Sequence, residues 1–467
     1  MFRRLIAAMA LLVTVGLLST CASQEKQSMK FTGAKNEVRL ITLDPGHFHA
    51  ALVQKSMYDQ INPEVHVYAP EGTDVRLHLQ RIDQYNTRQE NPTRWDEVVY
   101  LGPDYLEKML QEKAGNVVML AGNNQKKLDY IQASIDAGLN VLADKPMVID
   151  PAGFEVLKDV FQSAKKQGVL LYDVMTERHE ITTLLQKALS RDQSVFGTLD
   201  QGSPEKPAVT KESVHHFFKY VSGTALQRPA WYYDVKQQGE GIVDVTTHLV
   251  DLVQWECFPE QALDYQKDIR MVSARRWATP ITLEEFSRST GENSFPDYLK
   301  PAVDNQGVLQ VYANGEMVYR IKGVYAKVSV IWRYQAPEGG GDTHFSIMRG
   351  TRSTLVIRQG KEQQYQPELY VEPAGASGGS FQQTLQQAID GLAATYPGLA
   401  VEPAAGGWHV IIPAKYRVGH EAHFAQVTQD YLQYLVDGKM PDWEVPNMLA
   451  KYYTTTTALK MAKQGAQ

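Results

Sequence analysis

Short apolar runs alternate with segments of helical periodicity between residue 37 and about residue 175. The strand-length runs cover residues 38–43, 65–68, 98–101, 117–121, 141–143 and 169–174. Between the fourth and fifth runs, Leu128, Ile131 and Ile135 repeat at helical spacing, and Gly138 follows where a helix C-cap favours a residue without Cβ. Strands that alternate with helices predict parallel crossover units, and therefore an α/β fold with a doubly wound parallel sheet.

The pattern changes beyond residue 176, where apolar and polar residues alternate with a period of two. Residues 308–323 alternate in this way and contain Asn314-Gly315, a two-residue hairpin signal. Residues 324–335 continue at the same period. We therefore predict a β-rich second domain over residues 176–467, with a hairpin turn at Asn314-Gly315.

The first 21 residues have the layout of a signal peptide. Arg3 and Arg4 precede an apolar run over residues 5–18, and small residues lead to Cys21. Residues 18–21 (LSTC) resemble a bacterial lipobox, although Thr20 stands where Gly or Ala is usual. We expect a periplasmic or cell-envelope protein that is lipid-anchored at Cys21 and contacts the membrane through that anchor only. The alternative is a plain cleaved signal. Residues 22–36 are polar and are interpreted as a tether.

Composition narrows the class of protein. A chain of 467 residues with 43% apolar and 21% charged residues is long enough for two globular domains. The net charge of −6 shows no cationic excess, so we expect no nucleic-acid partner. Apart from Cys21, the only cysteine is Cys257, which excludes an intramolecular disulfide in the lipidated form.

Ligands of open α/β sheets bind beyond the carboxyl ends of the strands, so the residues that follow each run are the candidate site. The first run ends in residues 44–49 (DPGHFH), which contain one glycine where a dinucleotide fingerprint has three. A helix N-terminus nevertheless offers free N–H groups to an anion. We predict cofactor contacts from Gly46, His47, Phe48 and His49; the alternative is a simple turn with exposed histidines.

Two further strand ends carry polar residues. The fourth run ends at Asn123 and Asn124, which either contact the cofactor or only cap the next helix. The fifth ends in Asp144, Lys145 and Pro146. A lysine at this edge can donate to a substrate hydroxyl or lie beside a nicotinamide ring, whereas a salt-bridged surface lysine is the alternative.

Four segments resemble the Gfo/Idh/MocA family of glucose-fructose oxidoreductase and inositol dehydrogenase. Residues 118–146 resemble the family's T-P-N corner and E-K-P motif, and residues 167–179 resemble its last nucleotide-domain strand. Residues 231–255 resemble its G-G-x-x-x-D-x-x-x-H-x-x-D stretch, and residues 344–357 its late I-x-G-T pattern. The resemblance implies a Rossmann domain over 37–175, then an α+β domain over 176–467 with an open, mostly antiparallel sheet that often mediates homo-oligomer contacts.

The spacing of Asp244 and His248 places both on one face of a helix, with Asp251 one turn further. A histidine beside a carboxylate titrates near neutrality, as a proton acceptor should. By resemblance, His248 is the acid/base, Asp244 binds substrate hydroxyls and Lys145 assists at the reacting carbon. Arg178 and Tyr233 are the further candidates for substrate binding. Without the resemblance, a surface helix pair is the simpler interpretation.

The expected cofactor is NAD in preference to NADP. The loop after the second run supplies Glu71, with Asp74 as the competing acid, to bind the ribose 2′-hydroxyl. An exported protein has to carry its cofactor tightly, at about −12 kcal/mol for nanomolar affinity. No metal is predicted, because His420, Glu421 and His423 lack the H-E-x-x-H spacing.

These features predict an NAD-dependent oxidoreductase that oxidises a secondary ring hydroxyl of a sugar or glycoside, with C3 as the expected position. A partner lyase would use the product, or an external electron acceptor would restore the cofactor. Two alternatives remain open. One is a redox-neutral NAD-dependent glycosidase, and the other is a non-catalytic sugar-binding lipoprotein, which the reduced glycine fingerprint favours.

Overall fold

A computed structural model describes residues 30–221, 224–375 and 379–465 of the chain. The predicted signal peptide and Cys21 lie outside these residues. Among the described residues, no helix combines the length and the apolar composition needed to cross a membrane.

The first sheet has six parallel strands in the order β3-β2-β1-β4-β5-β6. The strands are β1 (Leu40–Leu43), β2 (Glu64–Ala69), β3 (Asp96–Leu101), β4 (Val117–Leu120), β5 (Asn140–Ala143) and β6 (Leu171–Asp173). Four of them, β1, β4, β5 and β6, are fully buried, as expected for strands covered by helices on both faces. The predicted doubly wound parallel sheet is confirmed.

Helices cover both faces of this sheet, and local signals set their ends. They are α1 (His49–Leu52), α2 (Thr73–Thr87), α3 (Tyr105–Glu112), α4 (Asn124–Asp136) and α5 (Pro151–Gln167). Helix α5 begins with Pro151 after an Asp150 side chain that accepts from Gly153 N, and ends at Gly168 with φ of 67°. The Asn123 side chain caps α4 by accepting from Gln125 N.

The second sheet has nine strands in the order β10-β11-β12-β7-β13-β14-β15-β17-β16. They are β7 (Val209–Phe218), β10 (Ile269–Ile281), β11 (Leu309–Ile321), β12 (Val324–Gln335), β13 (Thr343–Arg349), β14 (Ser353–Arg358), β15 (Glu368–Pro373), β16 (Ala400–Ala404) and β17 (Gly407–Ile411). Only the β7–β12 pair is parallel, so the predicted mostly antiparallel sheet is confirmed. Two short strands, β8 (Tyr220–Val221) and β9 (Thr224–Ala225), pair separately.

The remaining helices follow the last strand of the first sheet in the sequence. They are α6 (Ile181–Ser190), α7 (Thr246–Cys257), α8 (Tyr265–Asp268), α9 (Leu283–Thr290), α10 (Gly379–Leu392), α11 (His420–Asp437) and α12 (Glu444–Gln464). Helix α7 is buried on nearly every side and packs against β7 and β12. It carries His248 to the interface with the first sheet.

The hairpin predicted at Asn314-Gly315 is wrong, because both residues lie inside β11. The turn falls instead at Lys322 and Gly323, which have φ of 48° and 92°. The Asn314 amide donates to Thr279 Oγ1 at 2.8 Å and accepts from Trp332 N at 2.7 Å, so it joins neighbouring strands. A Cβ on Gly315 would lie 2.5 Å from Ile242 Cβ, so close packing, not a turn, requires this glycine.

Each sheet packs against one of the two largest hydrophobic cores. Segments from both ends of the described chain contribute to the first core. Helix α11 contributes Phe424 and Tyr431 to the core of the first sheet, although the predicted boundary assigned it to the second domain. Helix α12 contributes Tyr452 to the first core and Leu459 to the second. The packed chain also begins before the predicted end of the tether, because Phe31 is buried in the first core.

Candidate active site

The carboxyl ends of β1 and β5 face a cavity of about 770 Å³. Its other walls come from α7, from the nine-stranded sheet and from the N-terminal end of α11. The histidines and charged side chains that line it are His47, His49, Lys145, Glu177, Glu180, His215, Lys219, Arg228, His248, Asp342, His344, Arg417, His420, Glu421 and His423. A cavity of this size and polarity between two domains is the natural candidate for a ligand site.

Lys145 extends from the end of β5 toward the residues that precede α7. Its Nζ lies 2.6 Å from Asp244 Oδ1, and the lysine side chain is 11% exposed. The other oxygen of Asp244 accepts from Gln238 Nε2 at 3.1 Å. The structure therefore brings two of the predicted catalytic residues together, and holds the lysine by a carboxylate that is itself fixed.

His248 lies on α7 and lines the same cavity as Lys145. Its side chain is buried, and no described residue forms a hydrogen bond with its Nδ1. Burial lowers the pKa of His248 well below its usual value, and the positive charge of Lys145 lowers it further. The imidazole is therefore neutral at physiological pH. Asp244 lies in the turn before α7 and not on the helix as predicted.

The turn after β1 places two histidines around one carboxylate. Asp144 Oδ2 lies 3.1 Å from His49 Nδ1 and 3.5 Å from His47 Nδ1. Burial lowers the pKa of both imidazoles. Burial alone would raise the pKa of Asp144, but the hydrogen bond from His49 and the charge of Lys127 outweigh it and hold that pKa below its usual value. Asp144 is thus ionised beside two neutral rings.

The first turn of α11 brings His420 to this cluster. The Nε2 atoms of His420 and His49 are 3.3 Å apart, and His420 Nδ1 lies 3.8 Å from Glu177 Oε1. Burial raises the pKa of Glu177 to about 7, with a further contribution from Glu180. Sequence reasoning did not find this contact, because 371 residues separate the two histidines and no local pattern connects them.

Arg178 differs from the predicted substrate contact. Its guanidinium forms two bonds of 2.7 Å with the carboxylate of Asp251 and a third of 2.7 Å with Glu444 Oε1. Lys451 Nζ adds contacts of 2.9 Å with Asp251 and 2.8 Å with Asp173. Arg178 and Asp251 are therefore part of a buried ion-pair network, in which two carboxylates bind the guanidinium.

Tyr233 is also a core residue and not a substrate contact. It is 2% exposed, its hydroxyl lies 2.5 Å from Ser289 Oγ, and its ring packs against Phe217 and Phe286. The preceding residue, Tyr232, lines the cavity instead. The residue pattern identified the aromatic cluster but not the ring that faces the ligand.

The backbone amides of Gly46 and His47 are not free to bind a phosphate. The N–H groups of Gly46 and His47 both donate to Ala121 O at 3.1 Å. A Cβ on Gly46 would lie 3.0 Å from the Trp231 ring and 3.0 Å from Asp74 Oδ2, so these groups cover the glycine. The Trp231 indole donates to the same carboxylate oxygen at 2.7 Å. In a dinucleotide site, the pyrophosphate approaches the backbone here.

Two further predicted cofactor contacts, Asn123 and Asn124, are also occupied. Asn123 Nδ2 donates to Gln237 Oε1 at 2.7 Å, and Asn124 Nδ2 donates to Gln238 O at 2.7 Å. Glu71 lies in the loop between β2 and α2 and is exposed to solvent. The residues at these strand ends therefore do not fit a dinucleotide in the arrangement of this structure, and we assign no reaction step to one.

Known protein families match segments in both domains of the chain. The family described as "Oxidoreductase family, NAD-binding Rossmann fold" matches residues 78–174, and "Putative oxidoreductase C terminal domain" matches residues 185–463. The crystal structure of a "putative oxidoreductase" from Parabacteroides merdae ATCC 43184 is 60% identical, with a TM-score of 0.91 over 94% of this chain and 100% of that one. No curated protein matches the chain.

More distant solved structures share the fold. A 3-ketoreductase from Actinomadura kijaniata, in complex with NADP, is 14% identical, with a TM-score of 0.54 over 91% of this chain and 98% of that one. A levoglucosan dehydrogenase in complex with NADH and levoglucosan is 11% identical, with a TM-score of 0.55 over 91% and 97%. With matches to both domains and a 60% identical relative along nearly its whole length, the chain belongs to the Gfo/Idh/MocA family of oxidoreductases.

Proposed function

We propose that the chain is an oxidoreductase that acts on a secondary ring hydroxyl of a sugar or glycoside, with C3 as the expected position. The observation that carries the proposal is the pairing, across one cavity, of the neutral His248 imidazole with the Lys145 ammonium. The distant relatives support the substrate class, since one is a 3-ketoreductase and another binds levoglucosan.

The part of the cavity wall formed by His215, Lys219 and Asp342 suits a ligand rich in hydroxyl groups. Trp332 is buried behind this wall and stacks with the His215 ring at a ring distance of 5.2 Å. Asp342 lies 3.0 Å from His215 Nδ1 and also pairs with Lys219. These charged groups are held by one another, so they can bind hydroxyls without reorganising.

The side chains divide the proton chemistry between them. Lys145, oriented by Asp244, donates a hydrogen bond to the reacting oxygen. The neutral His248 accepts the hydroxyl proton as the carbon–hydrogen bond breaks, which is general-base catalysis at a buried site. The hydride needs an acceptor, which in this family is a nicotinamide cofactor. Because the turn at Gly46 is covered, the assay must offer other acceptors as well.

A turnover assay with chemically defined acceptors tests the proposal. The full-length protein is incubated with a panel of glucosides and with NAD, a redox dye or a keto-sugar, and the keto product is measured by mass spectrometry. We expect a 3-keto glycoside with at least one acceptor. Failure to form a keto sugar with any acceptor, in protein that binds the glycoside, would remove the oxidoreductase proposal.

A second candidate is a sugar-binding protein without turnover, which the covered Gly46 turn favours. It shares the cavity and its aromatic wall but needs no acceptor. Glycoside binding by calorimetry, combined with the absence of NAD in native mass spectra and the absence of a keto product, would support this candidate. Bound NAD in the purified protein would contradict it.

The pH dependence of turnover should have an unusually low acid limb. Only the neutral form of His248 accepts a proton, and its lowered pKa keeps this form populated well below pH 6.5. We therefore expect kcat/KM to stay constant from pH 8 down to pH 6 and to fall only at lower pH. A fall with an apparent pKa at or above 6.5 would show that His248 is not the base in the free enzyme.

A further inference from the structure

We propose that His47, His49 and Asp144 form the binding site of a divalent transition-metal ion. The site lies at the turn after β1, where a Rossmann fold receives the pyrophosphate of a dinucleotide. In this chain, that turn carries two imidazole rings and is covered by Trp231. The N–H groups of Gly46 and His47 donate to Ala121 O.

The three donor atoms have the spacing of a metal-ligand set. One ligand atom from each of His47, His49 and Asp144 lies within 4.8 Å of the other two, and Asp144 Oδ2 is 3.1 Å from His49 Nδ1 and 3.5 Å from His47 Nδ1. Ligands about 2.1 Å from a tetrahedral ion are about 3.4 Å apart. An ion at the centre therefore needs only small movements of the side chains.

A direct hydrogen bond does not account for both histidines. The backbone N–H of His49 donates to His47 Nδ1 at 3.4 Å, so this nitrogen presents its lone pair. The same nitrogen faces the Asp144 carboxylate at 3.5 Å, which places two electron-rich atoms opposite each other. A shared cation satisfies both atoms if His47 Nδ1 gives up its long 3.4 Å contact with the His49 N–H, because its one lone pair then binds the ion together with the carboxylate.

The surrounding contacts hold the ligands in place. Asp144 N donates to Leu120 O at 2.7 Å, and the buried Lys127 Nζ donates to Asp144 O at 2.9 Å. The other ring nitrogen of His49, Nε2, lies 3.3 Å from His420 Nε2 and can donate a hydrogen bond to it. Ligating histidines usually have such an outer partner, and it fixes the tautomer that exposes the other nitrogen to the metal.

The donor set selects the class of ion. Two imidazoles and one carboxylate favour Zn²⁺, Fe²⁺, Co²⁺ or Mn²⁺ over Mg²⁺ and Ca²⁺. Three protein ligands leave coordination positions open toward the cavity, which both histidines line. An oxygen of a sugar or its keto form can occupy such a position and be polarised there. This last step rests on the proposed function, whereas metal binding itself does not.

Metal titration of tag-free, full-length protein after chelator treatment tests the site. We expect one equivalent of Zn²⁺ by calorimetry, a matching Co²⁺ absorption spectrum, and a Tm that rises with Zn²⁺ concentration. His47→Gln, at a partly exposed ligand, should weaken Zn²⁺ binding by about 100-fold or more. His344→Gln is the matched control, because it removes a histidine from the same cavity but outside the cluster.

Asp144→Asn, which keeps the shape of the side chain, provides a second variant, and circular dichroism checks that each variant is folded. Folded wild-type protein that binds neither Zn²⁺ nor Co²⁺ overturns the proposal and leaves a hydrogen-bonded cluster. Unchanged binding in both ligand variants also overturns it. If the protein binds one equivalent of Zn²⁺ but oxidises no glycoside, the metal site is supported and the proposed function is contradicted. The two failures are therefore distinguishable.

Discussion

Replacing His248 by alanine is expected to lower kcat/KM for glycoside oxidation by about 10²–10⁴-fold, the usual contribution of a general base. The imidazole is buried, neutral and free at Nδ1, and it shares the cavity with Lys145. Glycoside affinity should change much less than the rate, because the proton is transferred only as the reaction proceeds. Steady-state kinetics together with calorimetry of glycoside binding separate the two effects.

His423→Ala is the matched control for this variant. His423 is also buried and lines the cavity, but it lies on α11 and has no part in the proposed proton transfer. An equal loss of kcat/KM in both variants would mean that the cavity had collapsed. Full activity in His248→Ala would exclude His248 as the base.

Replacing Lys451 by methionine is expected to lower the free energy of unfolding by about 3–5 kcal/mol, as for other broken buried ion pairs. Lys451 is fully buried, and its ammonium lies 2.8 Å from Asp173 and 2.9 Å from Asp251. Methionine fills a similar volume but leaves two buried carboxylates with less positive charge around them. Urea denaturation of the variant and the wild type measures the difference.

Lys267→Met is the control for this prediction. Lys267 also pairs with an aspartate, Asp264, at 2.6 Å, but its side chain is 82% exposed. The loss should be far smaller, because water screens an exposed pair. If Lys451→Met costs no more than Lys267→Met, the buried network contributes little and Arg178 is available for another role.

The sequence predicts the first sheet well, because strands buried on both faces are short continuous apolar runs. The second sheet follows from its alternating residues, but its turns do not. Asn314-Gly315 has the composition of a hairpin, yet packing against Ile242 places it inside a strand. The assignment of α11 and α12 to the second domain was also incomplete, because an amphipathic pattern does not show which core a helix will cover.

The site was predictable where a rule relates the position of a residue in the sequence to its position in the fold. The ends of parallel strands share an edge, so Lys145 and the turn at Gly46 were found. Contacts between distant segments were not predictable. Glu444 lies 266 residues after the arginine that it pairs with, and Trp231 covers Gly46 although the two are far apart in the sequence. Nothing near Arg178 or Gly46 in the sequence indicates these partners.

The packing of α12 on both cores has a consequence for biosynthesis. Tyr452, near the C-terminus, is part of the core that begins with Phe31 and Val38. The first half of the nascent polypeptide therefore cannot bury its apolar surface completely until translation has nearly ended. A partly folded intermediate with exposed apolar surface therefore persists for most of synthesis. The yield of folded protein should depend on chaperones that bind nascent chains.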